Sequence, residues 1–152
     1  MAEIAFYHLQ TTSLEAALPQ LLAKCMQRDW PVVVECGNPD RVNALDEHLW
    51  TFNDTAFLPH GTEPENADRQ PIWLCADEGN PNAAKVRFYV EGAMPHASSD
   101  YAPYERVILM FDGNNDQIVS TARSTWKALR TADHSLSYWK QSEAGGWQKA
   151  GG

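Results

Sequence analysis

Hydrophobic positions alternate in "EIAFYHL" at residues 3–9, run unbroken through "PVVVEC" at 31–36, and return in "PIWLCA", "KVRFYV" and "RVILMFD". Short runs of this kind, rich in β-branched and aromatic residues, predict strands, the unbroken ones buried on both faces. Between the first two runs the period changes. "LEAALPQLLAKCMQRD" keeps a 3–4 spacing through Leu14, Ala17, Leu18, Leu21, Leu22, Cys25 and Met26. That spacing predicts a helix capped by Ser13, with Pro19 early enough that a kink is its worst effect. A second helix is expected in "GNPDRVNALDEHLWTF", with Asn38 as cap, Pro39 at the first helical position and Val42, Leu45 and Leu49 on one face. A third starts at Asn115 or Asp116 and runs to about Ala132. "SLSYWKQ" after it reads as a last strand or an extended tail.

Strand, helix, strand, helix is the alternation of a parallel sheet covered on both sides. The expectation is an α/β chain: one three-layer α/β/α domain over residues 1–140, with a mostly parallel central sheet, followed by a flexible tail at 141–152. It is Rossmann-like without a phosphate loop. The turn after the first strand, "HLQTTSL", has no glycine and the turn after the second, "CGNPDR", has one, whereas nucleotide binding in such sheets needs glycines that let a helix N-terminus reach phosphate. Glu35 mimics the acidic ribose ligand of that fold, but without the loop it reads as structural or solvent-facing.

Composition narrows the functions. The chain has 152 residues, 43% of them hydrophobic, enough for one core, and its formal charge of -8 opposes strong direct nucleic-acid binding. No basic region followed by an apolar run opens the sequence, and no stretch is apolar enough to span a bilayer, so a cytoplasmic protein is expected. Cys25, Cys36 and Cys75 are widely spaced and read as reduced, buried thiols. His8, His48, His60, His96 and His134 lack ligand spacing, so no metal and no cofactor is expected. The P-loop, nucleophile-elbow and zinc-protease motifs are absent, and no catalytic residue is assigned.

The remaining signal is "TARSTWKALR", residues 121–130. On a helix wheel Ile118, Ala122, Thr125 and Leu129 form an inward stripe, Arg123, Lys127 and Arg130 an adjoining basic face, and Trp126 stands between them. Gln117 to Ser142 holds four basic residues and one acidic, reversing the sign of the chain. A solvated face with cations near the helix C-terminus is the plain reading. The functional reading is an anion-recognition site with an aromatic wall, suited to a short acidic peptide that ends in a hydrophobic residue.

These segments resemble a known family, the chi subunit of bacterial DNA polymerase III. "IAFYHL", "WPVVVEC", "RVNALDEHLWTF", "FLPH", "PIWL", "RVILMFD" and "ARSTWKALR" follow the family's order and spacing over about residues 3–132, "LDEHLWTF...AFLPH" being the most specific piece. The resemblance implies a non-catalytic accessory subunit of the polymerase III holoenzyme. It would link the psi subunit of the clamp loader to single-stranded-DNA-binding protein by holding the acidic C-terminal tail of the latter, which ends in Pro-Phe. The family's tail-binding positions fall on Arg123, Trp126 and Lys127, a further basic position is Val119 here, and Arg130 is a partial replacement. Phe57, Leu58, Ile72 and Trp73 are candidates for the psi interface. The rival is a small α/β nucleotide-binding enzyme with an unrecognised site in the loops at 59–69 or 92–103.

Overall fold

The computed structural model of the protein describes residues 3–10, 12–51, 60–62, 64–96, 98–141 and 147–150. The predicted alternation is present. Strands β1 (Glu3–Leu9), β2 (Val32–Glu35), β3 (His60–Gly61), β4 (Ile72–Cys75), β5 (Val86–Tyr89), β6 (Arg106–Asp112), β7 (Ser135–Gln141) and β8 (Trp147–Ala150) form one sheet in the order β3-β4-β2-β5-β6-β1-β7-β8. All neighbours pair parallel except β7 and β8, which are antiparallel. Where the sequence predicts a flexible segment over 141–152, Gln141 closes β7 and residues 147–150 return as an edge strand, Trp139 opposite Lys149 and Gln141 opposite Trp147.

The helices are α1 (Leu14–Gln27), α2 (Pro39–Thr51) and α3 (Asp116–Thr131), with a 3-10 segment at Pro64–Arg69. Each predicted cap is in place. Ser13 Oγ accepts from Ala16 N at 3.3 Å, Asn38 Oδ1 from Arg41 N at 3.0 Å, and Asn115 Oδ1 from Gln117 N and Ile118 N at 3.1 Å. Pro19 lies inside α1 and so leaves the Glu15 carbonyl without its helical donor. His48 of α2 supplies one, its Nε2 lying 2.7 Å from that carbonyl oxygen. A helix-breaking residue is thereby turned into a tie between two helices.

Alternate residues of each strand enter different cores, which is what two covered faces require. Val32, Val34, Ile72, Leu74, Val86, Phe88, Ile108 and Met110 pack with Leu18, Leu22 and Cys25 of α1 and Val42, Leu45 and Leu49 of α2. Ile4, Phe6, Val33, Trp73, Tyr89, Val107, Leu109 and Phe111 pack on the other face with Ala122 and Leu129 of α3 and with Tyr101 and Tyr104. The three cysteines are buried and unpaired, and burial raises all three thiol pKa values, that of Cys36 to about 12. They are packing residues, not nucleophiles.

Glu35 is structural as well. Its carboxylate meets the fully buried guanidinium of Arg87, which also donates to the carbonyls of Asp77 at 2.7 Å and Gly79 at 2.9 Å and to the Tyr104 hydroxyl at 3.2 Å. Burial raises the Glu35 pKa and Arg87 pulls it back; burial works against the Arg87 charge, but Glu35, Tyr89 and Tyr104 together outweigh it and the Arg87 pKa is raised.

Candidate functional site

α3 presents two faces, as its sequence predicts. Ala122 and Leu129 are buried, Ile118, Val119 and Trp126 are partly buried against the core, and Arg123, Lys127 and Arg130 are exposed. Among the described residues none of these three cations has an ion-pair partner. Trp126 stands edge-on to the buried Phe6 of β1, with ring centroids 5.1 Å apart at 88°, and to Tyr138 of β7, at 5.8 Å and 79°. Edge-to-face contacts on two sides fix the indole's orientation while leaving part of it open to solvent.

The structure adds residues that sequence reasoning did not assign. Parallel pairing of β1 with β7 sets Phe6 beside Tyr138 and His8 beside Lys140, and all four side chains share the face under α3. The Tyr138 hydroxyl is 2.6 Å from His8 Nδ1, and Lys140 Nζ lies 6.0 Å from the Tyr138 ring centroid. The result is an aromatic strip, Trp126 and Tyr138, with Arg123, Lys127 and Arg130 on the helix side and Lys140 on the strand side. A basic residue two positions after an aromatic in "SYWK" was the available signal. It gains meaning only once the register is known.

His8 is buried beneath the strip. A Cβ on Gly113 would lie 1.9 Å from its Nε2, so the absence of a side chain there makes room for the ring. Burial lowers the His8 pKa below 6.5, Lys140 and Arg123 lower it further, and the Gly113 backbone and Asp112 oppose. Burial also raises the Tyr138 pKa, with Arg123 opposing, so the phenol keeps its proton. A histidine whose folded pKa is depressed contributes stability that is present above its unfolded value, 6.5, and is lost as pH falls through the folded value. Urea midpoints measured from about pH 7 down to about pH 5.5 should therefore decline, and the slope should flatten in His8→Gln.

The other sequence-predicted residues lie elsewhere. Ile72 and Trp73 are in the two cores, 0% and 7% exposed, and offer no open surface of their own. Phe57 and Leu58 lie outside the described residues. His60 Nε2 contacts Asp46 through its backbone oxygen at 3.2 Å and its carboxylate at 3.1 Å, while His48 Nε2 meets the Glu15 carbonyl of α1. Among the described residues no group of three His, Cys, Asp or Glu could hold a metal ion, and no helix is long and apolar enough to cross a membrane.

A cavity of about 630 Å³ opens at the carboxyl ends of β1 and β6, where a Rossmann-like sheet would hold a nucleotide. Ser13 and Asn115 already cap the two helices that start there. Glu15, Glu91 and Asp112 line it with one arginine, Arg41, which is 3.6 Å from Glu91. Such a lining repels phosphate.

Comparison with known proteins agrees with the family resemblance of the sequence. A family model described as "DNA polymerase III chi subunit, HolC" matches residues 1–137. The chain belongs to the DNA polymerase III chi subunit family. It is also 30% identical over 88 residues to the probable DNA polymerase III subunit chi of Rickettsia prowazekii (strain Madrid E), an alignment covering 57% of this chain and 53% of the relative. The chain thus matches about half the length of that relative. Within this family member, α3 and β7 form a part of the fold where exposed cations and aromatics meet.

Proposed function

We propose that the protein is a non-catalytic link in the replicative polymerase assembly, holding the acidic C-terminal tail of single-stranded-DNA-binding protein on α3 and β7 and joining it to the clamp loader through psi. The observation that carries this is the half-buried Trp126, pinned by Phe6 and Tyr138 and bordered by cations with no ion-pair partner among the described residues. An unpaired cation beside an aromatic wall is what a carboxylate next to a phenyl ring requires. In this arrangement the terminal Phe packs against Trp126 and Tyr138, Arg123 takes the terminal carboxylate, and Lys127, Arg130 and Lys140 attract the aspartates. Val119, where the family has a further cation, instead packs against the core. Lys140 brings a positive charge to the site from the opposite side.

Burial of one phenyl ring supplies about 2 kcal/mol and each charge-assisted contact about 1.5–3 kcal/mol. Less the cost of ordering the tail, this corresponds to about 8 kcal/mol and micromolar binding that weakens in salt. The test is calorimetric titration with a peptide ending in Asp-Asp-Ile-Pro-Phe beside the same peptide lacking Phe. Micromolar binding of the first and none of the second is expected; equal heats from both would remove the Phe pocket from the reading. The psi contact would be sought outside Ile72 and Trp73, since both are core residues.

A further inference from the structure

The face of the sheet opposite α3 carries a second set of unpaired cations. Between the C-terminal end of α1 and strands β1, β5 and β6 lies a notch of about 70 Å³, lined among others by Lys24, the α1 C-cap Arg28, Arg106 of β6 and Tyr7 of β1. Among the described residues its lining holds no carboxylate, and none of the three cations has an ion-pair partner. Glu3 stands beside Arg106 in the β1–β6 register without pairing with it. Arg28 and Arg106 lie 5.0 and 6.0 Å from the Trp30 ring centroid, so one indole holds two guanidiniums near each other.

Like charges gathered in this way repel, and Lys24 and Arg28 add a repulsive pair one helical turn apart. The dipole of α1 favours those two at its C-terminus but not Arg106, which comes from another element. In a chain of charge -8 the notch is thus short of a counter-charge, which an anion from outside the chain would supply. Tyr7 continues the notch into a row of rings. It pairs in register with Trp139 of β7, which pairs with Lys149 of β8, so the three side chains share one face. The Tyr7 ring is 6.0 Å from that of Trp139 and 4.7 Å from that of Trp147. All three rings are only partly buried, and Lys149 is exposed. Carboxylates alone would use the cations and leave the row of rings idle, whereas a strand of nucleotides uses both.

We propose that this corner of the sheet binds a short stretch of single-stranded nucleic acid, its phosphates at Lys24, Arg28 and Arg106 and its bases against Tyr7, Trp139 and Trp147. The guanidinium fork matches phosphate oxygens, and stacking on aromatic rings tolerates any base. The net charge of -8 opposes long-range attraction, so binding is weak and confined to low salt. Tyr7 and Trp147 pack on the core across the sheet from Trp126, so the site does not rest on the reading of α3 as a tail-binding helix.

The test is an NMR titration at low salt with an oligothymidylate of about ten nucleotides, following the indole N–H signals of Trp139, Trp147 and Trp126. Saturable shifts of Trp139 and Trp147 are expected, with an affinity that falls in salt along a log–log slope of about -2, as about three phosphate contacts require. In Lys24→Gln/Arg28→Gln binding should weaken roughly tenfold and the slope should flatten to about -0.7. Both residues are exposed, and an unfolding curve like the parent's checks that the variant is folded. Polyphosphate of matching charge and the acidic tail peptide are the control ligands. Equal affinity for polyphosphate would reduce the site to an anion notch and overturn the proposal. Equal shifts of Trp139 and Trp147 by the peptide would assign the surface to a protein partner and overturn it too. So would shifts confined to Trp126, the absence of a saturable shift, or a variant that binds like the parent. The peptide's effect on Trp126 reads tail recognition separately, so either proposal can fail alone.

Discussion

Replacing Arg87 by Met should lower stability by about 3–5 kcal/mol, among the largest effects of any single substitution in this protein. Arg87 is 1% exposed and binds Glu35, two backbone carbonyls and a tyrosine hydroxyl. Removing it leaves a carboxylate that is 8% exposed and two carbonyls without their donor. Glu35 already has a raised pKa, so it should take up a proton in the variant, which limits the loss. For a domain of this size the change corresponds to about 10 °C in the thermal midpoint. The double variant Glu35→Gln/Arg87→Met should recover part of it, because no isolated charge remains. Denaturant unfolding of the three proteins decides the matter; a single variant within about 1 kcal/mol of the parent would mean that the pair is not holding these loops.

The second large effect concerns binding. Arg123→Glu should weaken the acidic tail peptide by roughly 10- to 100-fold or more, the loss of one charge-assisted contact plus like-charge repulsion. The residue is exposed on α3, so unfolding curves should be unchanged. Lys140→Ala should cost several-fold, which separates a site shared between α3 and β7 from one confined to the helix. Calorimetry at two salt concentrations reads both. Parent-like affinity in Arg123→Glu would move tail recognition off this helix, whereas a loss there with no change in Lys140→Ala would confine the site to α3.

Most of the fold was written locally in the sequence. Ser13, Asn38 and Asn115 announce three helices because capping needs only neighbours, and the unbroken apolar runs announce strands because both faces of the sheet are covered. Strand β3 has two residues and β8 four in a glycine-rich stretch, too little for a period to show. On α3 the helical half of the candidate site follows from spacing alone. Its other half does not. His8 and Tyr138 are 130 residues apart, and their meeting depends on β7 pairing with β1, a register no local pattern specifies. Arg87 was hidden for a related reason: within "KVRFYV" it sits where a basic residue suggests an exposed position, and only the distant Glu35 explains its burial.

Pro19 and His48 have a consequence for how this chain can change. A proline in the sixth position of α1 leaves one carbonyl open, and the imidazole from α2 covers it. Neither residue makes sense in its own helix: the proline looks like a defect and the histidine like ordinary surface. Together they form one complementary pair across the two helices. Replacing His48 leaves the Glu15 carbonyl to water, whereas replacing Pro19 gives that carbonyl a helical donor again, so the imidazole matters only while the proline is there.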